Sequence, residues 1–99
     1  MIIAPYQLSK RFELDFWEIQ DWLFWHESEV RSNKIIQSIL EKLDYINQNP
    51  FATPATTKSD GIGGWIRKAV HFETYIILYI IHSDFVEFIS IYHGKRNVL

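Results

Sequence analysis

The sequence predicts one α+β domain, in which an antiparallel hairpin of two helices packs on a mainly antiparallel sheet of three to four strands. Apolar residues repeat at helical spacing through the first half of the 99-residue chain. Three runs of β-branched and aromatic residues follow in its last third, separated by gaps of two residues. We expect residues 1–99 to form a single domain, because a chain of about 100 residues buries enough surface for one core.

A short strand and a helix are predicted at the start of the chain. Ile2 and Ile3, ahead of Pro5, suit a short edge strand. Ser9 then provides a helix N-cap. The helix is predicted over about residues 10–25, because one apolar stripe repeats at spacings of three and four: Phe12, Phe16, Ile19 and Leu23.

The second helix begins after another N-cap, Ser28, and its apolar repeat continues to a stop at Asn49 and Pro50. Because only His26 to Ser28 separate the two helices, they are expected to form an antiparallel hairpin. Residues 50–64 contain Pro, Thr, Ser and Gly without periodicity, and they are predicted to form one long loop.

Three strands are predicted over residues 65–72, 75–82 and 85–92. The short gaps between them favour an antiparallel meander. Since the middle run is apolar on both faces, we expect it to be the central strand and the helix hairpin to cover one face.

Composition excludes several classes of protein. The chain has no Cys and a formal net charge of −2, and its sequence pI is about 6.0. No apolar run approaches the roughly 18 residues of a membrane span, and the N-terminus lacks a secretory pattern. A cytoplasmic protein without a membrane partner is expected. Bulk electrostatic binding to nucleic acid is disfavoured, since it requires a strongly basic surface.

The few cations are unevenly placed. Residues 1–57 carry five Lys or Arg and eight Asp or Glu, whereas residues 58–99 carry five and four. Two basic doublets stand out in the second half, Arg67 with Lys68 and Lys95 with Arg96. Each doublet either solvates a strand edge or chain end, or binds a partner.

Three aromatic residues of the first helix, Trp17, Phe24 and Trp25, fall outside its main apolar stripe. Two interpretations remain open. Either the helix is covered on two sides and the stripe is wide, or some rings are exposed for a partner. In the second case an amphipathic helix of that partner is expected to bind in a groove on the helix hairpin, with Trp17 and Trp25 among its contacts.

Familiar catalytic and cofactor motifs are absent, and no cofactor is expected. The four histidines lack the close spacing of metal ligands, so no metal site is predicted. Asp15, Glu18 and Asp21 lie opposite the apolar stripe of the first helix and are expected to be solvated. His93, followed by Lys95 and Arg96, suits either acid–base chemistry on RNA or docking on an acidic protein.

The order of these motifs resembles the ParE/RelE toxin superfamily of bacterial type II toxin–antitoxin systems, often called plasmid stabilization proteins. The resemblance covers essentially the whole chain. It rests on the helix hairpin ending in Asn49-Pro50, the strands carrying Gly64-Trp65-Ile66-Arg67 and Tyr75-Ile76-Ile77-Leu78-Tyr79, and the ending Ile91-Tyr92-His93-Gly94-Lys95-Arg96. It implies a cognate antitoxin that folds against the toxin and neutralises it.

The superfamily divides by target. RelE-like members cleave mRNA on the ribosome and commonly carry an Arg where this chain has Ile76. That departure and the shortage of cations resemble ParE-like members, which target DNA gyrase and are not nucleases. In the ParE-like interpretation no residue is catalytic, and the expected target or antitoxin contacts are Arg67, Lys68, His93, Lys95, Arg96, Trp17 and Trp25.

Two alternatives remain. A RelE-like ribosome-dependent endoribonuclease would use His93, Arg67, Tyr92 and Arg96 for catalysis, and an inactive relative would act only as an interaction module. The two basic doublets need not form one site, because the first and third strands of a meander run in the same direction. The sequence does not fix the oligomeric state.

Overall fold

The fold is described from a computed structural model, which covers residues 5–52, 55–59, 65–71 and 74–94. Within these described residues, two helices and five strands follow one another. Their bounds are β1 Gln7–Leu8, α1 Lys10–His26, α2 Glu29–Gln48, β2 Ala55–Ser59, β3 Trp65–His71, β4 Tyr75–Ile81 and β5 Val86–His93. The predicted strand at Ile2 and Ile3 lies outside the described residues.

Both helices begin where their capping residues predict. The Ser9 hydroxyl oxygen accepts the Phe12 N–H at 3.0 Å, and the Ser28 hydroxyl oxygen accepts the Arg31 N–H at 3.1 Å. Two residues, Glu27 and Ser28, lie between the helices. The predicted helix hairpin is therefore confirmed, with bounds within one or two residues of those expected.

The sheet has the order β1-β5-β4-β3-β2. β3, β4 and β5 form the predicted antiparallel meander with β4 at its centre, and β1 pairs with β5 in parallel. The prediction of one continuous loop over residues 50–64 was wrong for Ala55–Ser59, because β2 pairs antiparallel with β3 there. The α+β class is thus confirmed, with five strands instead of the three to four expected.

One core joins the helix hairpin to a single face of the sheet. Its fully buried side chains include Phe12 and Leu23 from α1, and Ile39 and Leu43 from α2. The sheet contributes Ala69, Ile77, Tyr79, Val86, Phe88 and Ile91. Since side chains alternate along a strand, the neighbours of these residues on β3 and β4 lie on the opposite face, away from the helices. On β5 the corresponding neighbours Ser90 and Tyr92 also reach α1, because Ser90 donates to Asp15 and Tyr92 lines a cleft with residues of α1.

Tyr79 also ties the central strand to the end of α2. Its ring is completely buried, and its hydroxyl donates a hydrogen bond of 2.8 Å to the carbonyl oxygen of Pro50. A buried phenol needs such a partner, because leaving its O–H without one costs about 1–3 kcal/mol. This bond holds the segment after α2 against the sheet.

Candidate functional site

The first basic doublet is split between the two faces of the sheet. Arg67 and Lys68 are consecutive in β3, so their side chains alternate. Arg67 is two residues from the buried Ala69 and therefore lies on the same face of the strand. Its guanidinium carbon lies 5.0 Å from the ring centroid of Phe51, which follows α2. Lys68 is exposed on the face away from the helices. The two cations therefore do not act on one ligand from the same side.

His93 lies far from Arg67 along the strands. His93 pairs with Tyr75, whereas Arg67 pairs with Tyr79. This offset along β4, together with two strand spacings, separates the two Cα atoms by roughly 16 Å. Arg67 and His93 therefore lie at different levels of the sheet, and the expectation that the two doublets need not form one site stays a prediction. Lys95 and Arg96 lie outside the described residues.

The face of the sheet away from the helices is largely apolar. We define the outer sheet face by six of its residues, Ile66, Lys68, Val70, Ile76, Leu78 and Tyr92. The register also places Ile80, Glu87 and Ser90 on this side of the sheet. Ile76 lies between Val70 and Tyr92 on the neighbouring strands. Among these six residues Lys68 is the one cation. The position at which RelE-like members commonly carry an Arg is therefore in an apolar row.

His93 contributes to two shallow clefts on either side of the α1–sheet junction. One has a volume of about 390 Å³ and is lined also by Trp22, Leu23, Glu27, Arg31, Ile35, Thr74 and Tyr75. The other has a volume of about 190 Å³ and is lined also by Arg11, Asp15, Glu18, Ile19, Ile91 and Tyr92. The His93 ring stands edge-on to Tyr75, with 5.5 Å between centroids.

The cations of both clefts already have carboxylate partners. Arg11 Nε lies 3.0 Å from an oxygen of Asp15, and Arg31 Nε lies 2.8 Å from an oxygen of Glu27. The residues of each pair are four positions apart in the sequence, and both Arg side chains are largely exposed. The positive charge beside His93 is therefore offset within each cleft, which weakens both as sites for a phosphate.

Gly94 holds the end of β5 close to the turn between β3 and β4. Its N–H donates to the Thr74 carbonyl oxygen at 2.6 Å, and a Cβ atom at this position would lie 3.3 Å from the same oxygen. Such a contact is tighter than van der Waals packing allows without a shift of the turn. The missing side chain of Gly94 thus permits the approach that positions His93.

Asp15 is not solvated as the sequence predicted. Its Oδ2 atom accepts the Ser90 hydroxyl at 2.7 Å and the Ile91 N–H at 3.3 Å, and its side chain is only 15% exposed. Glu18 and Asp21 are exposed, as expected. Helical periodicity missed the role of Asp15, because its partners lie about 75 residues away on β5.

The rings outside the main stripe of α1 are exposed. The exposed fractions are 66% for Trp17 and 75% for both Phe24 and Trp25, and Leu14 on the same side is 55% exposed. The interpretation that α1 is covered on two sides was therefore wrong. The face opposite Phe12, Ile19 and Leu23 presents an apolar surface instead.

A groove runs between the two helices beside these rings. It has a volume of about 530 Å³ and is lined by Gln20, Phe24, Glu29, Ser32, Asn33 and Ile36. We call it the interhelical groove. A groove on the hairpin was expected from the exposed rings of α1. The α2 lining was missed because Glu29, Ser32 and Asn33 carry no apolar signal.

His71 is buried beneath α2, away from both clefts. Its Nε2 atom lies 3.0 Å from the Ser38 hydroxyl oxygen, and that hydroxyl donates at 2.7 Å to the Ile35 carbonyl. Because the single Ser38 proton is engaged, His71 Nε2 donates to Ser38. Burial lowers the pKa of His71, and the nearby Lys42 lowers it further. His71 therefore has a structural role as a neutral side chain.

In the part of the chain that the structure describes, no group of three or more His, Asp or Glu side chains is placed to hold a metal ion. Neither described helix combines the length and the apolar character needed to cross a membrane.

Residues 6–98 match the family model described as ParE toxin of type II toxin-antitoxin system, parDE. Because the match spans nearly the whole chain, this protein belongs to that family and is a type II toxin–antitoxin toxin. The helix hairpin on a mixed sheet is consistent with this assignment. No curated protein matches the sequence significantly.

Proposed function

We propose that this toxin acts in the cytoplasm by binding DNA gyrase and that a cognate antitoxin neutralises it. The observation that carries the choice of target is Ile76, which lies between Val70 and Tyr92 on the outer sheet face. A surface that holds and cleaves RNA needs cations to bind phosphate and to stabilise developing charge. An apolar row suits contact with a protein.

Two further features support a protein target. The whole chain has a net charge of −2, so it lacks the general positive field that attracts ribosomal RNA. Arg67 and His93, which an RNase would use together, have Cα atoms roughly 16 Å apart, and Arg67 contacts Phe51 on the helix side. This separation does not favour the convergence of both side chains on one scissile group that catalysis requires.

The contacts with the target are proposed to involve the sheet and its C-terminal end. Lys68 lies on the outer sheet face, His93 is the last residue of β5, and Lys95 and Arg96 follow it in the sequence. Arg67, with its side chain toward Phe51, is proposed to contact the target or the antitoxin from the helix side. Trp17 and Trp25 are proposed as antitoxin contacts, because they are exposed on α1.

The test is inducible expression in bacteria, with growth, the DNA-damage response and mRNA integrity measured together. We expect growth arrest with induction of the DNA-damage response, and inhibition of DNA supercoiling by purified gyrase. Transcripts cut at ribosomal A sites, with cleavage abolished by His93→Ala, would instead establish the endoribonuclease. Normal growth while folded protein accumulates would exclude both toxic activities and favour an inactive relative that acts only as an interaction module.

A double variant tests the proposed role of the C-terminal cations. Lys95→Ala with Arg96→Ala is expected to reduce gyrase inhibition at least about 10-fold, the loss expected for two charged contacts of about 1 kcal/mol each. Lys10→Ala with Lys34→Ala is the control, because it removes the same charge from exposed helix positions. Equal inhibition by both double variants would exclude a specific contact. Removing residues 94–99 is expected to abolish toxicity.

A further inference from the structure

The outer sheet face leaves apolar side chains accessible to water. Val70 is 48% exposed, and Ile76, Leu78 and Tyr92 are partly exposed. Removing apolar surface from water stabilises a complex by about 25 cal/mol per Å². A contiguous apolar patch with polar residues at its margin is typical of a surface that associates with another molecule.

Two opposite charges lie on this face, one on each side of the central strand. Among the described residues that the register places on this face of β3, β4 and β5, Lys68 is the one cation and Glu87 the one anion. Lys68 lies on β3 next to Leu78, and Glu87 lies on β5 next to Ile80. An oxygen of the Glu87 carboxylate lies 2.9 Å from His82 Nε2, which fixes its position. The net charge of the face is therefore zero (1 − 1).

The placement of these residues is self-complementary. A two-fold axis parallel to β4 lays β4 over β4 of a second copy and β3 over β5 of that copy, an isologous arrangement. The register then places Val70 over Tyr92 of the second copy, and Ile76 and Leu78 over their own equivalents. Two sheets packed face to face keep their strands within about 30° of each other, so the twist of the sheet is compatible with this alignment.

The same axis brings the opposite charges of two copies together. Lys68 and Ser90 both lie beside Leu78, so the axis places Lys68 over Ser90 of the second copy. Glu87 lies beside Ile80, two residues further along β4, a distance of about 6.6 Å. A Lys side chain spans such an offset, whereas the two Lys68 residues remain on opposite strands. Apolar rows and opposite charges therefore meet without a like-charge contact.

The charge of this face disfavours two other occupants. Nucleic acid and an anionic membrane both require a cluster of cations. Lys68 is a single cation, and Glu87 offsets it on the same face. A second copy matches both the apolar row and the charge pair.

The size of the face indicates a weak association. Three strands about 4.8 Å apart and five residues at about 3.3 Å each cover roughly 14 by 17 Å, or about 240 Å² of flat area per copy. A standard stable interface buries about 800 Å² per partner. We therefore expect a dissociation constant of about 10 μM to 1 mM.

We propose that two copies of this chain form a weak dimer through the outer sheet face, with Ile76 and Leu78 on a two-fold axis and Lys68 of each copy beside Glu87 of the other. Because the same face is proposed to bind gyrase, the dimer would hide that surface and hold the toxin in an inactive form. This consequence rests on the proposed function, whereas the dimer itself does not.

Sedimentation equilibrium of the full chain tests the dimer directly. At total concentrations from about 10 μM to 1 mM it is expected to show a monomer–dimer equilibrium. Ile76→Arg brings two guanidinium groups together on the axis and is expected to weaken dimerisation at least about 10-fold. The control is Val30→Arg, which adds the same charge at an exposed apolar position of α2 and is expected to leave dimerisation within about twofold. A monomer at every concentration, or equal losses in both variants, would overturn the inference.

A charge exchange between copies tests the geometry. Lys68→Glu and Glu87→Lys are each expected to weaken their own homodimer at least about 10-fold, because each variant brings like charges together. An equimolar mixture of the two variants is expected to dimerise as tightly as the unmodified chain, since every contact then joins Lys to Glu. Restoration also shows that both variants are folded. A mixture that remains monomeric would contradict the assigned axis. Lys34→Glu mixed with Glu41→Lys, at exposed positions of α2, is the control and is expected to leave dimerisation unchanged both alone and mixed.

Two further outcomes separate this inference from the proposed function. A chain that dimerises as described but does not inhibit gyrase would refute the proposed target and support the dimer. A chain that inhibits gyrase yet sediments as a monomer throughout would overturn the inference and leave the target in place. A dimer weakened by Trp17→Gln with Phe24→Gln, but not by Ile76→Arg, would assign the contact to the helices and also overturn the inference.

Discussion

Asp15 is the side chain that fixes α1 to the sheet. It accepts hydrogen bonds from Ser90 and Ile91 of β5 and contacts Arg11 on its own helix. The Ile91 N–H belongs to a part of β5 that lies beyond the short pairing with β1 at Gln7 and Leu8. The Asp15 carboxylate therefore satisfies a backbone donor that β1 does not reach.

Asp15→Ala is expected to lower the free energy of unfolding by about 1–3 kcal/mol, because it leaves partly buried donors without their charged acceptor. Urea denaturation followed by circular dichroism measures this change. Asp21→Ala removes the same group from an exposed position of the same helix and is expected to change stability by less than about 0.5 kcal/mol. A similar effect of both variants would contradict the role of Asp15.

His71 makes stability depend on pH. Its pKa is lowered in the folded chain by burial and by Lys42, whereas the unfolded chain titrates near the ordinary value of about 6.5. Above that pH the His71 side chain is neutral in both the folded and the unfolded state, and its contribution to the free energy of unfolding does not change with pH. As pH falls below about 6.5 the unfolded state binds more protons, so the folded state loses stability by at most about 1.4 kcal/mol for each pH unit separating the two pKa values.

His71→Gln tests this dependence, because Gln retains an N–H donor toward Ser38 and does not titrate. Unfolding free energies measured at pH 7.5 and pH 5.5 are expected to differ less in this variant than in the unmodified chain. His26→Gln, which removes an exposed histidine at the end of α1, is the control. Its unfolding free energies at the two pH values are expected to differ as much as those of the unmodified chain. An unchanged pH dependence in His71→Gln would refute the assignment.

At the scale of elements, Ser9 links the start of α1 to β5. Besides capping α1, its hydroxyl donates to the Ile89 carbonyl at 2.9 Å, and its N–H donates to the Phe88 carbonyl at 2.9 Å. The register of β4 and β5 shifts at this point, between Leu78 and Tyr79 on β4. Ser9 thus satisfies backbone carbonyls where β5 departs from regular pairing.

A comparison of the two capping residues isolates this link. Ser28→Ala removes only a cap and is expected to cost about 0.5–1 kcal/mol, while Ser9→Ala removes a cap and a long-range hydrogen bond and is expected to cost about 1 kcal/mol more. Thermal or urea unfolding of both variants measures the difference. Equal losses would show that the bond to Ile89 contributes nothing to stability.

The elements that the sequence predicted share one property, which is that their pattern is local. The apolar repeats of α1 and α2 and the alternation of β3 to β5 lie within each segment, and their ends followed from Ser9, Ser28 and Asn49. β2 was missed because Ala55–Ser59 is mostly polar and its pairing with β3 is a contact between segments. The same reason applies to β1, whose two residues gain order from β5.

The candidate site was less accessible to sequence reasoning for the same physical reason. The helical angle placed Trp17 and Trp25 outside the main stripe but left open whether a second layer covers them, and the α2 lining of the interhelical groove depends on how the helices pack. Arg67 and Lys68 were treated as one doublet in the sequence, although alternation along β3 puts their side chains on opposite faces. The ion pairs of Arg11 and Arg31 are local, at four residues' spacing, but their position in the clefts beside His93 required the three-dimensional arrangement.

For the whole molecule, the two proposed binding surfaces lie on opposite sides of one core. The helices bury one stripe and expose an acidic and aromatic face, whereas the sheet buries one face and exposes an apolar one that carries Lys68. An inhibitor on the helix side need not cover the face proposed for the target. Neutralisation would then require the bound antitoxin to extend around the sheet edge onto the target surface, or to stabilise a conformation of the toxin that gyrase cannot bind.

The single core predicts that the chain unfolds as one cooperative unit. Buried residues of both helices and of β3, β4 and β5 belong to one cluster. If one element unfolds, the apolar residues of the others lose their packing partners and become exposed to water. Circular dichroism of the backbone and tryptophan fluorescence are expected to give coincident urea transitions. The free energy of unfolding is expected to fall by about 1–2 kcal/mol per M urea.

Tyr79→Phe, which removes the hydrogen bond to Pro50, is expected to shift the midpoints of both transitions equally without changing this slope. A fluorescence transition that precedes the loss of circular dichroism would show that the helix hairpin separates from the sheet and would contradict a single domain.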